Sequence, residues 1–378
     1  MTVPKQNVLA GARPYFPEED IPEILDKIAD VLRSGRLILG PRTRELEAEW
    51  AARVGTRHAV AVSSCTAALE IAYRHGQVQG REVIMPTNTF VATANAAISA
   101  GAKVVFSDID ERDGGAAVDD VIDRITSRTA AIAVVHIAGF IPHDFEKLRG
   151  LCKRAKILLI EDCAHAHGAT LDGRVAGSLA DVGCFSLYPT KVITCGVGGV
   201  LTTSDDDLAT LARSLRHHGQ GASLEEIVHA GNDWLMDEVR AVLALSQLRR
   251  LDDFLARRRA LAARYGELLA KRDRYTLPRL APGTVPAYYK YPILLPAGVD
   301  RDAVRHTLMT AHGIECGAIY SPPAHLMPVF RGAGAPRLPV AESVLPRQLC
   351  LPMHAALQLT DADRAVAALD EVVGPYFR

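Results

Sequence analysis

No two of the seven cysteines, Cys65, Cys152, Cys163, Cys184, Cys195, Cys316 and Cys350, stand at CxxC spacing, and their number is odd. That argues against a disulfide framework and against a zinc site, so no metal is expected. Long apolar runs are missing, and nothing reads as a bilayer span. Residues Met1 to Asn7 lack the apolar segment of a secretory leader. Charge of one sign is missing too: 43 basic against 44 acidic side chains leave a formal −1, with no global pull toward nucleic acid or a membrane surface. The basic run Arg257, Arg258, Arg259 reads as a solvated helix face. There is no GxxxxGK[ST], no GxSxG, no repeat and no low-complexity tract. The glycines at 196, 198 and 199 do not make GxGxxG, which leaves nicotinamide dinucleotide binding poorly supported. A reduced, cytoplasmic protein that binds neither nucleic acid nor membrane is the resulting expectation.

What is present fits an ordinary globular enzyme. The 378 residues, 48% hydrophobic and 23% charged, are too many for one small core and suit two domains. After an irregular arm over residues 1–18, helical spacing runs over 22–32 and 44–54, with a turn-rich loop between them. A rhythm then begins at residue 58. Short apolar runs at 58–62, 82–85, 103–108, 130–136, 157–161, 182–186 and 199–202 alternate with amphipathic segments at 66–74, 91–100, 144–153, 206–217 and 237–252. Runs that are continuous rather than alternating suit parallel strands buried on both faces. The pattern predicts an α/β fold: a large domain over 1–252, arm included, with a mostly parallel mixed sheet flanked by helices, and a smaller C-terminal α+β domain over 253–378. The second part opens with a charge-studded helix over 253–271. Strands at 287–295 and 314–319 and helices at 301–312 and 361–373 follow.

Ligand sites in open α/β sheets lie at the carboxyl ends of strands, and four of these ends carry polar groups. The run 58–62 leads into Ser63, Ser64, Cys65 and Thr66, which open a helix; their amides suit a phosphate, or the serines simply cap the helix. The run 82–85 leads to Phe90, a ring for a flat cofactor or for the core. The run 157–161 leads to Asp162, His165 and His167; an acid there needs a charged partner, caps a helix or ligates a metal. The run 182–186 ends in Ser186 and leads to Lys191 and the glycines. A lysine near hydroxyls, with a carboxylate at the end of a buried strand, suits pyridoxal 5'-phosphate (PLP). The lysine would form a Schiff base with the aldehyde, and Asp162 would pair with the pyridinium nitrogen.

In order and spacing these motifs resemble the DegT/StrS family of PLP-dependent sugar aminotransferases, of the aspartate-aminotransferase fold type. The likeness runs from Gly40-Pro41 through Thr66 to Leu69, Thr89 to Asn95, His136 to Gly139, Glu161 to Gly168, Phe185 to Gly199 and Arg216 to Gly219, and ends at Leu351 to His354. It implies that Lys191 binds PLP and moves the proton, and that Asp162 pairs with the ring nitrogen. His165 would lie near the ring hydroxyl and Phe90 on the ring face. Cys65, Thr66 and Ser186 would cradle the phosphate, and Tyr320 and His325 would stand near the substrate. It also implies a homodimer with active sites at the interface, in which an Asn reaches the neighbouring subunit's phosphate. Here Asp233 falls at that position, with Asn232 one residue away, and Cys65 and Val197 replace a usual Gly and Glu. The implied reaction is a ping-pong transamination from L-glutamate or L-glutamine to a keto sugar, nucleotide-linked in most relatives, in amino-sugar or antibiotic biosynthesis. A keto-cyclitol (scyllo-inosose-like) acceptor and a non-catalytic PLP-binding regulatory subunit are the alternatives. A sugar dehydratase on the same fold is disfavoured, because its members carry His where Lys191 stands.

Overall fold

Apolar on both faces, the short runs that begin at residue 58 have no polar side to turn to water. They become the strands of a central sheet. In a computed structural model, which describes residues 8–223, 225–330 and 336–377, the strands are β1 (His58–Val62), β2 (Glu82–Pro86), β3 (Lys103–Ser107), β4 (Thr129–Val135), β5 (Leu158–Asp162), β6 (Thr170–Leu171), β7 (Arg174–Val175), β8 (Val182–Ser186) and β9 (Gly199–Thr203). The main sheet has seven strands in the order β1-β9-β8-β5-β4-β2-β3. β2, β3, β4, β5 and β8 run parallel, whereas β9 is antiparallel to both neighbours. Every residue of β9 is buried, as in β2, β4 and β8, so burial alone does not reveal its reversal.

Helices cover the sheet. They are α1 (Ile21–Ser34), α2 (Pro41–Val54), α3 (Cys65–His75), α4 (Val91–Ser99), α5 (Val118–Asp123), α6 (Phe145–Ala155), α7 (Asp206–Leu215) and α8 (Glu238–Arg249). The first turn of α2 shows how distant parts are locked together. A helix start leaves amides without partners. Here the buried carboxylate of Glu238 accepts from the amides of Gly40 (3.0 Å), Arg42 (2.8 Å) and Thr43 (2.9 Å), and from the Thr43 hydroxyl. Glu238→Ala strands three amides in the interior. It is expected to cost about 3 kcal/mol, read as a lower urea midpoint at unchanged slope.

A second apolar core forms around α9 (Leu251–Leu269), α10 (Arg301–His312), α12 (Leu359–Val373) and the antiparallel pair β11 (Tyr291–Leu294) and β12 (Gln348–Leu351). β10 (Thr284–Val285) joins β6 and β7 in a small sheet, and α11 (Pro339–Val344) packs on the first core. Three expectations change here. The arm is shared: Tyr15 packs on the first core, while Leu9 bridges Ile314 and packs in the second. The run 314–319 is not a strand but carries isolated bridges, Leu9 to Ile314 and Gly317 to Cys350, because its two neighbours come from distant parts of the chain. Nor is the 257–259 run a solvated face. Arg257 is exposed, but Arg258 is buried and donates to the carbonyls of Tyr288, Tyr289 and Met353. Among the described residues, no helix is long and apolar enough to cross a membrane.

Candidate active site

The carboxyl ends of β1, β5 and β8 converge on a cavity of about 390 Å³. One end of it is the start of α3. Ser64 caps that helix by accepting from the Ala67 amide at 3.1 Å, and Cys65 and Thr66 follow in the first turn. A Cβ at Gly199 would overlap the backbone of Ser64 and Cys65, so the start of β9 must be glycine for this turn to close. Cys65 and Thr66 line the cavity together with Ser186 at the end of β8.

The acid end is β5. Consecutive strand residues face opposite sides, and Glu161 and Asp162 accordingly do different work. Glu161 is sealed in the interior. It accepts from the amides of Gly177 (2.8 Å), Leu179 (2.8 Å) and Ala180 (2.9 Å) and meets His136 Nε2 at 2.8 Å. His136, Glu161 and Cys163 place their ligand atoms within 4.8 Å of one another. A metal would have to displace those amides, so Glu161 reads as an anchor of the strand. Asp162 faces the cavity, where the Thr93 hydroxyl donates at 2.7 Å and the Ala164 amide at 3.1 Å. Thr93 is fixed in turn by Thr89 at 2.7 Å.

Lys191 also lines the cavity, its Nζ 4.8 Å from the centre of the Tyr289 ring. Burial pushes its ammonium down to about 8, against the pull of Asp162 and Cys65 and with a further push from Lys290. His165 stacks on Tyr289 at 4.1 Å and shares a 3.0 Å hydrogen bond with the Tyr320 hydroxyl. Burial, then Lys191 and Lys290, hold His165 well below the usual histidine range, so its ring is neutral near pH 7. Phe90 is not a core residue. It is 54% exposed at the mouth, 5.7 Å from Tyr320.

The structure thus gathers Cys65, Thr66, Phe90, Asp162, His165, Ser186, Lys191 and Tyr320 around one cavity. It does not bring His325 or Asn232 there. The His325 ring is fully buried between Thr87, whose hydroxyl meets Nδ1 at 2.7 Å, and Glu342, 3.4 Å from Nε2; it ties a loop down rather than facing substrate. Asn232 and Asp233 are exposed on the loop before α8, with the Asn232 side chain accepting from the Asp233 amide at 2.9 Å. Two residues that the sequence reading passed over belong here. Thr93 bonds Asp162, and Tyr289 carries both Lys191 and His165 on its ring. The double aromatic at 288–289, just before a strand, was the available signal.

These residues fit PLP on the structure's own terms. The Asp162 carboxylate lines the cavity, a glycine-tight helix start offers amides, and an exposed ring stands beside Tyr320 at its edge. A model of the DegT/DnrJ/EryC1/StrS aminotransferase family matches residues 18–370. The dTDP-3-amino-3,4,6-trideoxy-alpha-D-glucose transaminase of Micromonospora megalomicea subsp. nigra is 36% identical over 367 residues, 94% of this chain and 96% of that protein. The crystal structure of the aminotransferase TlmJ from Streptoalloteichus hindustanus superposes with a TM-score of 0.91 at 33% identity, covering 98% of this chain and 100% of that one. The PLP form of a sugar aminotransferase described as putative, Spr1654 from Streptococcus pneumoniae, gives 0.90 at 27% identity over 98% and 100% of the two chains.

Proposed function

We propose, for a chain that belongs to the DegT/DnrJ/EryC1/StrS aminotransferase family, that it moves the amino group of L-glutamate or L-glutamine to the keto carbon of a nucleotide-linked sugar. The route would be amino-sugar or antibiotic biosynthesis. The observation that carries this reading is that Lys191 and Asp162 line one cavity together with the start of α3.

In this reading Cys65, Thr66 and Ser186 hold the PLP phosphate, Phe90 covers the ring and Asp162 takes the ring nitrogen. When bound, PLP supplies an aldehyde onto which an amine exchanges and an electron-poor ring that weakens the C–H bond beside that amine. Asp162, steadied by Thr93 and Ala164, keeps a negative charge at one point. Lys191 takes the proton from the donor's Cα as a free amine and later returns one on the acceptor side. With its ammonium held near 8, both forms are present at neutral pH, which suits a group that must accept and donate in turn. His165, neutral and bonded to Tyr320, orients the ring side of the cavity.

The dTDP-linked sugar in the Micromonospora relative's name supports the nucleotide-linked class. The exposure of Asn232 and Asp233 supports a homodimer in which this loop meets the neighbouring subunit's site, and the separate apolar core around α9, α10, α12 and the β11–β12 pair supports a second, C-terminal domain. Seven cysteines, all buried as free thiols, support a reducing compartment such as the cytoplasm.

The test supplies L-glutamate or L-glutamine with a dTDP-linked keto sugar, or with scyllo-inosose, and follows the aminated product by mass. Amination of the nucleotide sugar is expected. Turnover of the cyclitol alone would replace the proposed substrate class, and turnover of neither would favour a regulatory subunit.

A further inference from the structure

Tyr289 is held from several sides. Its hydroxyl meets the Thr190 hydroxyl at 3.0 Å, its carbonyl accepts from Arg258, and its ring stacks on His165. The next residue is fixed just as closely. The Lys290 amide donates to the Ala138 carbonyl at 3.4 Å, over a turn where Gly139, at φ +91, has no room for a Cβ beside the His165 carbonyl. The Lys290 ammonium therefore lies 5.2 Å from the centre of the ring that Lys191 approaches to 4.8 Å. The two nitrogens are at most about 10 Å apart by that geometry. No ion-pair partner holds Lys290 among the described residues. Burial lowers its proton affinity, with a further push from Arg258; Glu315 attracts it but is engaged by the Gly11 amide at 2.9 Å.

We propose that Lys290 is a positioning residue for the transamination: a charge beside Tyr289, without an ion-pair partner among the described residues, that adds to burial in opposing the protonation of Lys191. The inference rests on the role given to Lys191 above. Several groups face Lys191. Asp162 at the end of β5 and Cys65 on α3 favour its ammonium form. Lys290, ahead of β11, opposes it, and His165 and Tyr289 are uncharged at neutral pH. Facing Lys290 itself are Cys350 on β12, a neutral thiol by burial, Arg258 on α9 and Glu315. Removing Lys290 leaves the carboxylate's pull less opposed, so the Lys191 proton is held more tightly. At this separation the shift is roughly half a pH unit to one unit upward.

The experiment is competitive acetylation of the full-length protein, cleared of cofactor, across pH 6–10, with the extent at Lys191 read by peptide mass spectrometry. Wild type is expected to titrate near 8. Lys290→Met should move the midpoint up by about half a unit to one unit, and Lys290→Arg should restore it. Lys290→Gln gives the same reading if the Met variant does not fold. An unchanged midpoint in both neutral variants, or an equal shift in Lys290→Arg, overturns the proposal. The labelling reads Lys191 without turnover, so its outcome is separate from any failure of the proposed reaction.

Discussion

Lys191→Ala is expected to lower kcat by roughly 10,000-fold or more, with the fold unchanged by circular dichroism. The magnitude follows from what else the cavity holds. Lys191 is the only amine among its lining residues, and the other lysine near Tyr289 does not line it. His165, the nearest base by type, is kept neutral by burial but has Nε2 committed to Tyr320. No lining group therefore replaces the lost amine. A small amine such as methylamine should restore part of the rate by entering the space the side chain leaves. Full activity in Lys191→Ala would remove the lysine from the mechanism.

The second large effect belongs to Asp162. Asp162→Asn keeps the size of the side chain and can keep the contacts with Thr93 and the Ala164 amide, so stability should change little. What it loses is a fixed negative charge, and kcat should fall by roughly 100- to 1,000-fold, the range found for removing one preorganised electrostatic partner. A second readout has a definite sign. Asp162 raises the proton affinity of Lys191, so its loss should lower the Lys191 midpoint, opposite to the shift expected for Lys290→Met. Competitive acetylation of Asp162→Asn reads that sign, and an upward or absent shift would mean that the carboxylate does not act on Lys191.

The main sheet was legible because its strands are apolar on both faces and end in polar clusters. β1 and β8 fall on the predicted residues, and the remaining strands of this sheet differ by a residue at one or both ends. The reversal of β9 was hidden, since Val200 and Leu201 are as buried as any parallel strand residue. The second core was harder to read for a related reason. β12 is four residues long and exists by pairing with β11, and residues 314–319 are placed by Leu9 and Cys350, neither of which is near them in sequence. In the site, residues at or just past a strand end could be placed on the cavity from the sequence: Asp162, Ser186 and the start of α3. Tyr289 was not, because the 287–295 run looks like one strand. The strand starts at Tyr291, after Tyr288 turns at φ +47, and that turn frees the neighbouring ring to meet Lys191. His325 misled because a buried histidine bonded to Thr87 and Glu342 has the same sequence as one that faces a ligand.

The most direct measurement loads the purified protein with PLP, records its absorption before and after L-glutamate and L-glutamine, and then reduces the donor-free sample with borohydride for peptide mapping. A visible band that collapses with one of the donors, and a reduced cofactor attached to the peptide containing Lys191, are the predicted results. Attachment at Lys290 or another lysine, or no band after added PLP, would contradict the assignment of Lys191 on which the whole mechanism stands.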